Sequence, residues 1–514
     1  MRGKMKKLLS SVVAVAMLLA TLPMTAFPVF AGVGNTVSVS TYAELTSAIS
    51  DAATSTIDVS ADIVVDAQIS IARSVTINGN GHTISVPVPG FSDAGTYNTS
   101  PSAFRVFNIT AGTVTIENAT IKGGAATGYG SGIYVSSGVT LNLSGVTISN
   151  SGSASQPGGG ICNNGGTVFL NNCNIIRNGG RYGGGFLNLS NGKMFIENCS
   201  FSENRSLSSS GGGGAGENKA YLYVNNSTFS NNKSTELGGA INNYTGTGYI
   251  LNSTFSGNVS VGNTNAGAMR SGGTGASLFL VNDIFAYNYT STNGTTYALN
   301  DFNTGHWSGV TAYNCIFHGS ICTGTDITQY AGAANGSDDS IFTGGSTSQV
   351  LAADGSLYGD ATIYQPYLAK VAGSVTTSVP LKSGSTALGA AIPTAFTNGN
   401  GAPVVGYYAS SAWTELTSTG ANLSQYQVTT DQNGSARDAS TPALGAVEST
   451  VGSLSMVKVN KVTGGTVIGG SVFGDTYANG DDVTLTAIPD NGYQFTKWDN
   501  GSGTQLSTDN PYSF

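Results

Sequence analysis

An apolar residue recurs along the chain at nearly constant spacing, and this repeat constrains the fold more than any other feature. The recurring positions, called markers below, are Ile121, Ile148, Ile175, Phe201, Phe229, Phe255, Phe285 and Phe317. Their separations are 27, 27, 26, 28, 26, 30 and 32 residues. A period in this range predicts a solenoid in which each repeat stacks on the next. Alternation within the repeats, as in 113–116 and 168–170, predicts that they consist of strands.

Two further sets of residues recur in phase with the markers. Glycines that open a short strand are Gly132, Gly160, Gly185, Gly214, Gly239 and Gly267. Asparagines three residues after a marker are Asn178, Asn204, Asn232, Asn258 and Asn288. Glycine accepts positive φ at a tight corner, while asparagine tolerates the left-handed region and can hydrogen-bond from coil to coil. The pattern predicts an all-β parallel β-helix, with an axis of roughly 34 Å between the first and last markers.

The position two residues before each marker, called the small slot below, is occupied mostly by small residues, which predicts that it lies in the interior of the solenoid. Its occupants are Ala119, Val146, Cys173, Cys199, Ser227, Ser253, Asp283 and Cys315. Adjacent Cys173 and Cys199 have two interpretations: stacked core thiols, which favour burial, or a disulfide between coils. Asp283 interrupts the series and should turn outward or find a partner, because an unpaired buried carboxylate is costly.

The N-terminal end of the solenoid is predicted to carry a short helix. Thr41 to Glu44 form a capping box, and Leu45, Ala48, Ile49 and Ala52 follow at helical spacing. An amphipathic helix here would cover the open end of the coil stack and hide its strand edge.

The first residues predict export. Four basic residues precede the apolar stretch 8–22, and small residues near 31 offer a cleavage site, so residues 1–31 are predicted to be a signal peptide. No later apolar run is long enough to predict a transmembrane segment. Removing the four basic residues takes the net charge from −8 to −12, which disfavours a nucleic-acid partner. The protein is therefore expected to be extracellular, either secreted or associated with the cell envelope.

Paired glycine and Phe-x-x-Asn units, such as 238–241 and 201–204, resemble the repeats of chlamydial polymorphic outer membrane proteins. More broadly, 36–330 resembles the pectin-lyase-like superfamily, which implies a right-handed parallel β-helix. Residues 383–389 and 431–448 are similar to the closing segment of choice-of-anchor Q proteins, which extends the β-helical domain over 36–450, with regular coils at about 105–320.

The last stretch, 455–514, resembles the internalin B-repeat class of small β modules through residues 483–495 and Lys497-Trp498. In such repeats an ending like 511–514 is normally followed by one more strand, which indicates a truncated module. The missing part is expected to hold further repeats and an attachment to the cell wall.

One column of residues forms the candidate site. Three residues after each corner glycine stand Val135, Asn163, Asn188, Glu217, Asn242 and Arg270. The pattern predicts an outward column, polar in every coil but the first, and we expect Asn163, Asn188, Glu217, Asn242 and Arg270 to bind a ligand. With Arg181, Tyr182, Tyr221, Tyr223 and Tyr244 nearby in sequence, the column suits a polysaccharide or a cell-surface glycan. A solvated outer wall is the alternative.

The sequence therefore predicts a secreted or cell-surface β-helix protein for adhesion or polysaccharide binding, without catalytic residues, metal or cofactor. The alternative is a polysaccharide lyase or glycoside hydrolase on the same face. Such an enzyme needs converging carboxylates or a base with Ca²⁺ ligands, and neither stands out. A third interpretation, ice binding, rests on a hydroxyl stripe just before the markers, interrupted at three positions. The stripe comprises Thr120, Thr147, Ser200, Thr228 and Thr254.

Overall fold

The computed structural model shows a parallel β-helix followed by small sheets. In its N-terminal part it describes residues 34–91, 97, 104–207, 212–261, 266–291 and 297–303. Further along it describes 309–313, 315–317, 320–322, 327–329, 345–351, 357–366, 368–370, 375–379, 381, 385, 387–388, 395–397, 403–409, 412–415, 430–438, 443, 445–447, 454–457, 459, 464–468, 475–478, 482–489 and 492–514. The predicted signal peptide lies outside these residues.

Three long parallel sheets form the walls of the solenoid. The first sheet has 12 strands, with the order Asn35–Val39, Thr54–Val59, Val75–Asn78, Thr113–Glu117, Thr140–Ser144, Thr167–Asn171, Lys193–Glu197, Tyr221–Asn225, Thr247–Leu251, Ser277–Val281, Gly309–Tyr313 and Ile327–Gln329. The second sheet has 10 strands, with the order Ile63–Val64, Thr83–Ser85, Thr120–Lys122, Thr147–Ser149, Asn174–Ile176, Ser200–Ser202, Thr228–Ser230, Thr254–Ser256, Ile284–Ala286 and Ile316–Phe317. It contains every marker, so the predicted coil period is confirmed.

The third sheet has 15 strands in two branches. Its main branch comprises Ile69–Ile71, Phe107–Ile109, Ile133–Val135, Ile161–Asn164, Phe186–Leu189, Gly216–Asn218, Ile241–Asn243, Met269–Ser271, Ala298–Asn303 and Ser320–Cys322. Its second branch comprises Gly179–Gly180, Arg205–Ser206, Lys233–Ser234, Val259–Val261 and Tyr289–Ser291. The branches meet where Tyr289–Ser291 pairs antiparallel with Ala298–Asn303.

The interior is filled by columns of equivalent residues. The rings of Phe201, Phe229 and Phe255 stack face to face with centroids 4.8 and 4.7 Å apart, and Phe285 and Phe317 continue the stack. The centroid spacing equals the distance between neighbouring strands of a sheet, so identical side chains in successive coils meet in the same orientation. This aromatic stack runs through one hydrophobic core that spans the coils.

The small slot is interior, as predicted. Cys173 and Cys199 are buried free thiols, so the stacked-thiol interpretation is confirmed. Asp283 also points inward, where its carboxylate accepts hydrogen bonds from the backbone N–H groups of Ser253 (2.8 Å) and Val281 (3.1 Å). Burial raises the pKa of Asp283 well above its ordinary value. The partner that we expected for the Asp283 carboxylate is therefore a pair of backbone N–H groups.

The corner asparagines bond from coil to coil as predicted. The side-chain oxygen of Asn232 accepts from both the backbone N–H and the side-chain N–H of Asn204, and Asn258 accepts in the same way from Asn232. The left-handed residue, however, is the one immediately before each asparagine, such as Arg177 (φ 54°) and Glu203 (φ 57°). The sequence pattern therefore identified the hydrogen-bonding corner but placed its left-handed residue one position too late.

The corner glycines are required for close approach of backbones rather than for positive φ. A Cβ on Gly160 would lie 2.5 Å from the carbonyl oxygen of Gly185, which is far closer than real Cβ contacts. Positive φ occurs two residues earlier, at Gly130 (φ 71°) and Gly158 (φ 75°). The predicted positions were right, but the physical reason is coil stacking.

The N-terminal helix is confirmed at Tyr42–Ser50, with the capping box between Thr41 and Glu44. Leu45 and Ile49 pack into the solenoid core. Ala52, which we expected on the same face, is exposed and lies beyond the end of the helix.

The C-terminal region is built of small sheets. Two sheets have two strands each, Gly345–Leu351 with Leu357–Pro366 and Trp498–Asp499 with Gln505–Ser507. Two sheets have three strands each, the first containing Ala395–Thr397, Pro403–Ala409 and Ala412–Glu415 and the second Gly465–Ile468, Thr484–Pro489 and Tyr512–Ser513. One sheet has four strands, in the order Thr377–Ser378, Leu368–Lys370, Asp475–Ala478 and Leu454–Val457. In the four-stranded sheet, Leu368–Lys370 pairs with Asp475–Ala478. A strand from the predicted β-helical domain thus shares a sheet with the terminal module.

Candidate functional site

The strands of the third sheet carry two parallel columns of side chains. The inner column comprises Val135, Asn163, Asn188, Asn218, Asn243 and Ser271. The outer column comprises Tyr134, Cys162, Leu187, Glu217, Asn242 and Arg270. Successive residues of a strand point to opposite faces, so the two columns lie on opposite sides of the same sheet.

The five predicted site residues fall on both columns. Asn163 and Asn188 belong to the inner column, whereas Glu217, Asn242 and Arg270 belong to the outer column. The expectation of one outward column is therefore wrong. Gly185 aligns with Ala215 rather than with Gly214, because Phe186 pairs with Gly216. Counting from Gly214 shifted the register by one residue, and a shift of one residue moves a side chain to the other face.

The inner column is an amide ladder. The Asn163 side chain donates to the Asn188 side-chain oxygen at 3.0 Å, Asn188 donates to Asn218 at 2.9 Å, and Asn218 donates to Asn243 at 2.8 Å. Asn163 and Asn188 are fully buried. Their amides are used within the sheet, so their geometry supports a role in holding the coils together, and ligand binding by these two residues stays a prediction.

The outer column brings together three of the predicted residues. The Asn242 side-chain N–H donates to one carboxylate oxygen of Glu217 at 3.3 Å, and the Arg270 guanidinium donates to the Asn242 side-chain oxygen at 3.3 Å. The other Glu217 oxygen lies 2.7 Å from the Lys219 ammonium. Glu217, Asn242 and Arg270 with Lys219 therefore form a continuous polar chain, called the outer polar cluster below.

Corner segments of neighbouring coils partly cover the outer polar cluster. A Cβ on Gly213 would lie 2.6 Å from the Asn242 backbone nitrogen, and a Cβ on Gly238 would lie 2.8 Å from the Arg270 backbone nitrogen. Only glycine permits this close approach. The Glu217 side chain is 3% exposed although it is on the outer face. Arg270 remains partly exposed, and burial lowers the pKa of its guanidinium.

Two tyrosines flank the cluster at the surface. The Lys219 ammonium lies 5.3 Å from the centroid of the Tyr182 ring and 5.3 Å from that of Tyr244. The Arg181 guanidinium also lies over the Tyr182 ring, at 5.3 Å. All three distances are within the range of cation–π attraction. Tyr244 is 44% exposed, so one aromatic face at this site is open to a ligand.

Tyr221 and Tyr223, which the sequence placed near the site, lie elsewhere. They are on the outer face of the first sheet, next to Phe195, with ring centroids 5.7 and 6.3 Å from the Phe195 ring. Sequence proximity to Glu217 was misleading here because a corner separates the two sheets.

The described residues contain no group of three His, Cys, Asp or Glu side chains arranged to hold a metal ion. Of the three histidines, His82 lies 3.4 Å from the Asp62 carboxylate at the surface, while His306 and His318 fall outside the described residues. Asp338, Asp339 and Asp481 also fall outside them. Burial raises the pKa of the Cys162 thiol to about 12, which leaves it protonated and unreactive at neutral pH.

The hydroxyl stripe of the second sheet is covered rather than open. The Thr228 hydroxyl donates to the Gln432 side-chain oxygen, and the Thr254 hydroxyl accepts from the Ala446 backbone N–H. Every hydroxyl residue in the predicted stripe is buried. A flat exposed array is needed to order water at a surface, so the geometry removes the basis for the ice-binding interpretation.

Residues 430–438, 443 and 445–447 belong to the covering segment, which we call the strap. The Arg437 guanidinium donates to the Asn226 side-chain oxygen at 2.9 Å and to the Gly445 carbonyl at 2.7 Å. Gln432 donates to the carbonyl groups of Cys199 (3.2 Å) and Thr377 (2.8 Å). Sequence reasoning identified this stretch as a closing segment but did not predict where it docks.

Two stretches of the chain match family models. Residues 36–156 match the pectate lyase-like adhesive domain, and residues 455–514 match the divergent InlB B-repeat domain. The chain combines a pectin-lyase-like parallel β-helix with an InlB-like repeat. No curated protein matches the sequence. Among solved structures, the L. reuteri 53608 SRRP is 14% identical, with 57% of this chain and 95% of that chain covered and a TM-score of 0.18.

No helix within the described part of the chain is long and apolar enough to cross a membrane.

Proposed function

We propose that this protein is an extracellular adhesin that binds polysaccharide or a cell-surface glycan, without catalysis, at the outer polar cluster and its two tyrosines. The observation that carries the proposal is the open Tyr244 ring beside the Lys219, Glu217 and Arg270 side chains. The match of 36–156 to an adhesive domain supports it, as does the predicted signal peptide.

The chemistry of the cluster suits sugar. A sugar ring presents C–H groups that pack on an aromatic face and hydroxyls that both donate and accept hydrogen bonds. Tyr244 offers the aromatic face, and the partly exposed Arg270 and Lys219 offer donors. Glu217, whose side chain is 3% exposed, holds Lys219 in place.

The arrangement does not resemble a hydrolytic centre. Hydrolysis of a glycosidic bond needs two carboxyl groups facing each other across roughly 5–10 Å. Both oxygens of Glu217 contact other side chains, Asn242 and Lys219. A lyase or hydrolase on this face remains the alternative, and its signature is released product.

The InlB-like module and the strap give the second part of the proposal. We infer that the module acts as a spacer toward the cell envelope. Its strand Asp475–Ala478 pairs with Leu368–Lys370, and Gln432 of the strap contacts Thr377 in the same four-stranded sheet. A load applied to the module would therefore pass into the β-helix through hydrogen bonds rather than through a single strand of backbone.

An array of immobilised polysaccharides, incubated with the full chain, tests the proposal. We expect retention on at least one polysaccharide and no release of unsaturated or reducing sugar ends, with or without Ca²⁺. The variant Tyr244→Ala should weaken retention roughly three- to ten-fold, which is the value of one aromatic contact.

Tyr129→Ala is the matched control, because Tyr129 is also 44% exposed and lies at the surface of an earlier coil. Equal losses in the two variants would mean that the outer polar cluster is not the binding site. Released sugar ends would replace the adhesin proposal with the enzyme alternative.

A further inference from the structure

Glu217 lies between an amine and an amide. One carboxylate oxygen is 2.7 Å from the Lys219 ammonium nitrogen, and the other accepts from the Asn242 side-chain N–H at 3.3 Å. The side chains of Glu217 and Asn242 are 3% and 0% exposed. A carboxyl group held between these two nitrogens can move a proton from one to the other, which is the proton transfer that amide exchange requires.

The Lys219 ammonium and the Asn242 amide contact the two oxygens of one carboxylate group, that of Glu217. Glu217 pairs with Asn242 across neighbouring coils, and Lys219 lies one residue beyond the end of the strand Gly216–Asn218. One carboxylate group therefore separates the amine from the amide, a gap that rotation of the flexible lysine side chain can close.

The Asn242 amide is also polarised. Its side-chain oxygen accepts from the Arg270 guanidinium at 3.3 Å, and Arg270 is held in turn by the Gly272 carbonyl at 2.9 Å. A positive donor at this oxygen stabilises the negative charge that appears when a nucleophile adds to the amide carbon. Nucleophile, proton carrier, electrophile and oxyanion donor are thus present in three successive coils.

We propose that Lys219 and Asn242 form an intramolecular isopeptide bond with Glu217 as the proton carrier. Lys219 gives a proton to Glu217, and the free amine adds to the side-chain carbonyl carbon of Asn242. Arg270 stabilises the oxyanion. Glu217 then returns the proton to the Asn242 amide nitrogen and the carbon–nitrogen bond breaks. The leaving ammonia takes the second proton of the Lys219 nitrogen and departs as ammonium. The new amide joins the two side chains with no oxidant or cofactor.

The burial of Glu217 and Asn242 and the two tyrosines favour this step over hydrolysis. The Tyr182 and Tyr244 rings lie on either side of the Lys219 nitrogen and limit access of water to it. The product would tie one coil covalently to the next at the face that we propose for adhesion, although the inference does not depend on that function.

Intact-mass spectrometry of the denatured full chain tests the inference. We expect the wild-type protein to be lighter than its sequence by one ammonia, and peptide mapping to recover a branched peptide that joins Lys219 to Asn242. The variant Lys219→Arg keeps the positive charge and the contacts with the tyrosines but cannot form the bond, so it should have its full sequence mass. Glu217→Gln should also have its full mass while folding normally by circular dichroism.

The controls separate this bond from other losses of ammonia. Succinimide formation at an Asn-Gly step elsewhere would persist in Lys219→Arg, and that outcome would overturn the inference. A wild-type chain that keeps its full mass after prolonged incubation in the folded state would overturn it as well. Retention on polysaccharide is read separately, so loss of the cross-link and loss of binding are distinguishable.

Discussion

The inner and outer columns of the third sheet run through the same coils but differ in how their residues vary. In the inner column amides repeat from Asn163 to Asn243, and each bonds its equivalent in the next coil. In the outer column the residue changes at every coil, from Cys162 to Arg270. A residue that must bond to the equivalent residue in both neighbouring coils cannot vary from coil to coil. A residue without such a bond can vary, and it can therefore take a role in ligand binding or in a reaction.

The same contrast holds between the aromatic stack inside and the aromatic row outside. Phe229 is fully buried between Phe201 and Phe255, whereas Phe169 stacks on Phe195 at the outer face of the first sheet and is partly exposed. The ring stacking has similar geometry in both places, so burial rather than ring contact should decide how much each ring contributes to the free energy of unfolding.

The largest effect should come from the interior stack. Phe229→Ala should lower the free energy of unfolding by about 3–5 kcal/mol, because it removes a buried ring and leaves a cavity. Phe169→Ala, the control with a similar ring contact, should cost less than half as much. Denaturant unfolding monitored by circular dichroism measures both, and similar losses would break the contrast between the two faces.

The next effect should come from the corner asparagines. Asn232→Ala should cost about 1–3 kcal/mol, because it leaves buried backbone and amide groups of Asn204 and Phe201 without their partner. Asn164, which is partly exposed and donates to the Tyr134 hydroxyl, provides the control variant Asn164→Ala. A cost no larger at Asn232 than at Asn164 would contradict the structural role of the repeated amides.

A smaller, pH-dependent effect should come from Glu197 on the outer face of the first sheet. Burial raises the pKa of Glu197 from 4.5 to about 7, against the opposing hydrogen bond from Asn225. Because the pKa of Glu197 is raised in the folded protein, this group stabilises the fold fully at pH values below 4.5. The contribution is lost as the pH rises through about 7. Thermal unfolding should therefore show higher stability at pH 5 than at pH 8.

Glu197→Gln removes the titrating proton and should flatten this part of the profile. Glu44→Gln is the contrasting variant, since hydrogen bonds from Ser40 lower the pKa of that exposed carboxyl. An unchanged pH profile in Glu197→Gln would assign the dependence to other groups, with buried Asp283 the next to test.

The smallest effect on stability should come from the surface tyrosines. Tyr244→Ala and Tyr129→Ala should each change the free energy of unfolding by no more than about 0.5 kcal/mol, because their rings are largely exposed. A stable Tyr244→Ala variant with reduced polysaccharide retention would sharpen the contrast between repeated and varied residues. A large loss of stability would instead show that the Tyr244 ring supports the coil corner.

The sequence alone determined the solenoid and most of its interior. The marker period placed Phe201 to Phe317 in one stack, and the small slot and corner asparagines followed from the same alignment. These features lie within one coil and repeat in the next. The interval between equivalent residues in the sequence therefore indicates which residues stack on each other in the structure.

Only the tertiary structure decided which side of the third sheet each site residue occupies, because strands have a period of two and one misaligned glycine reverses the face. It also decided where the strap docks, since Arg437 and Asn226 are 211 residues apart and no repeat connects them.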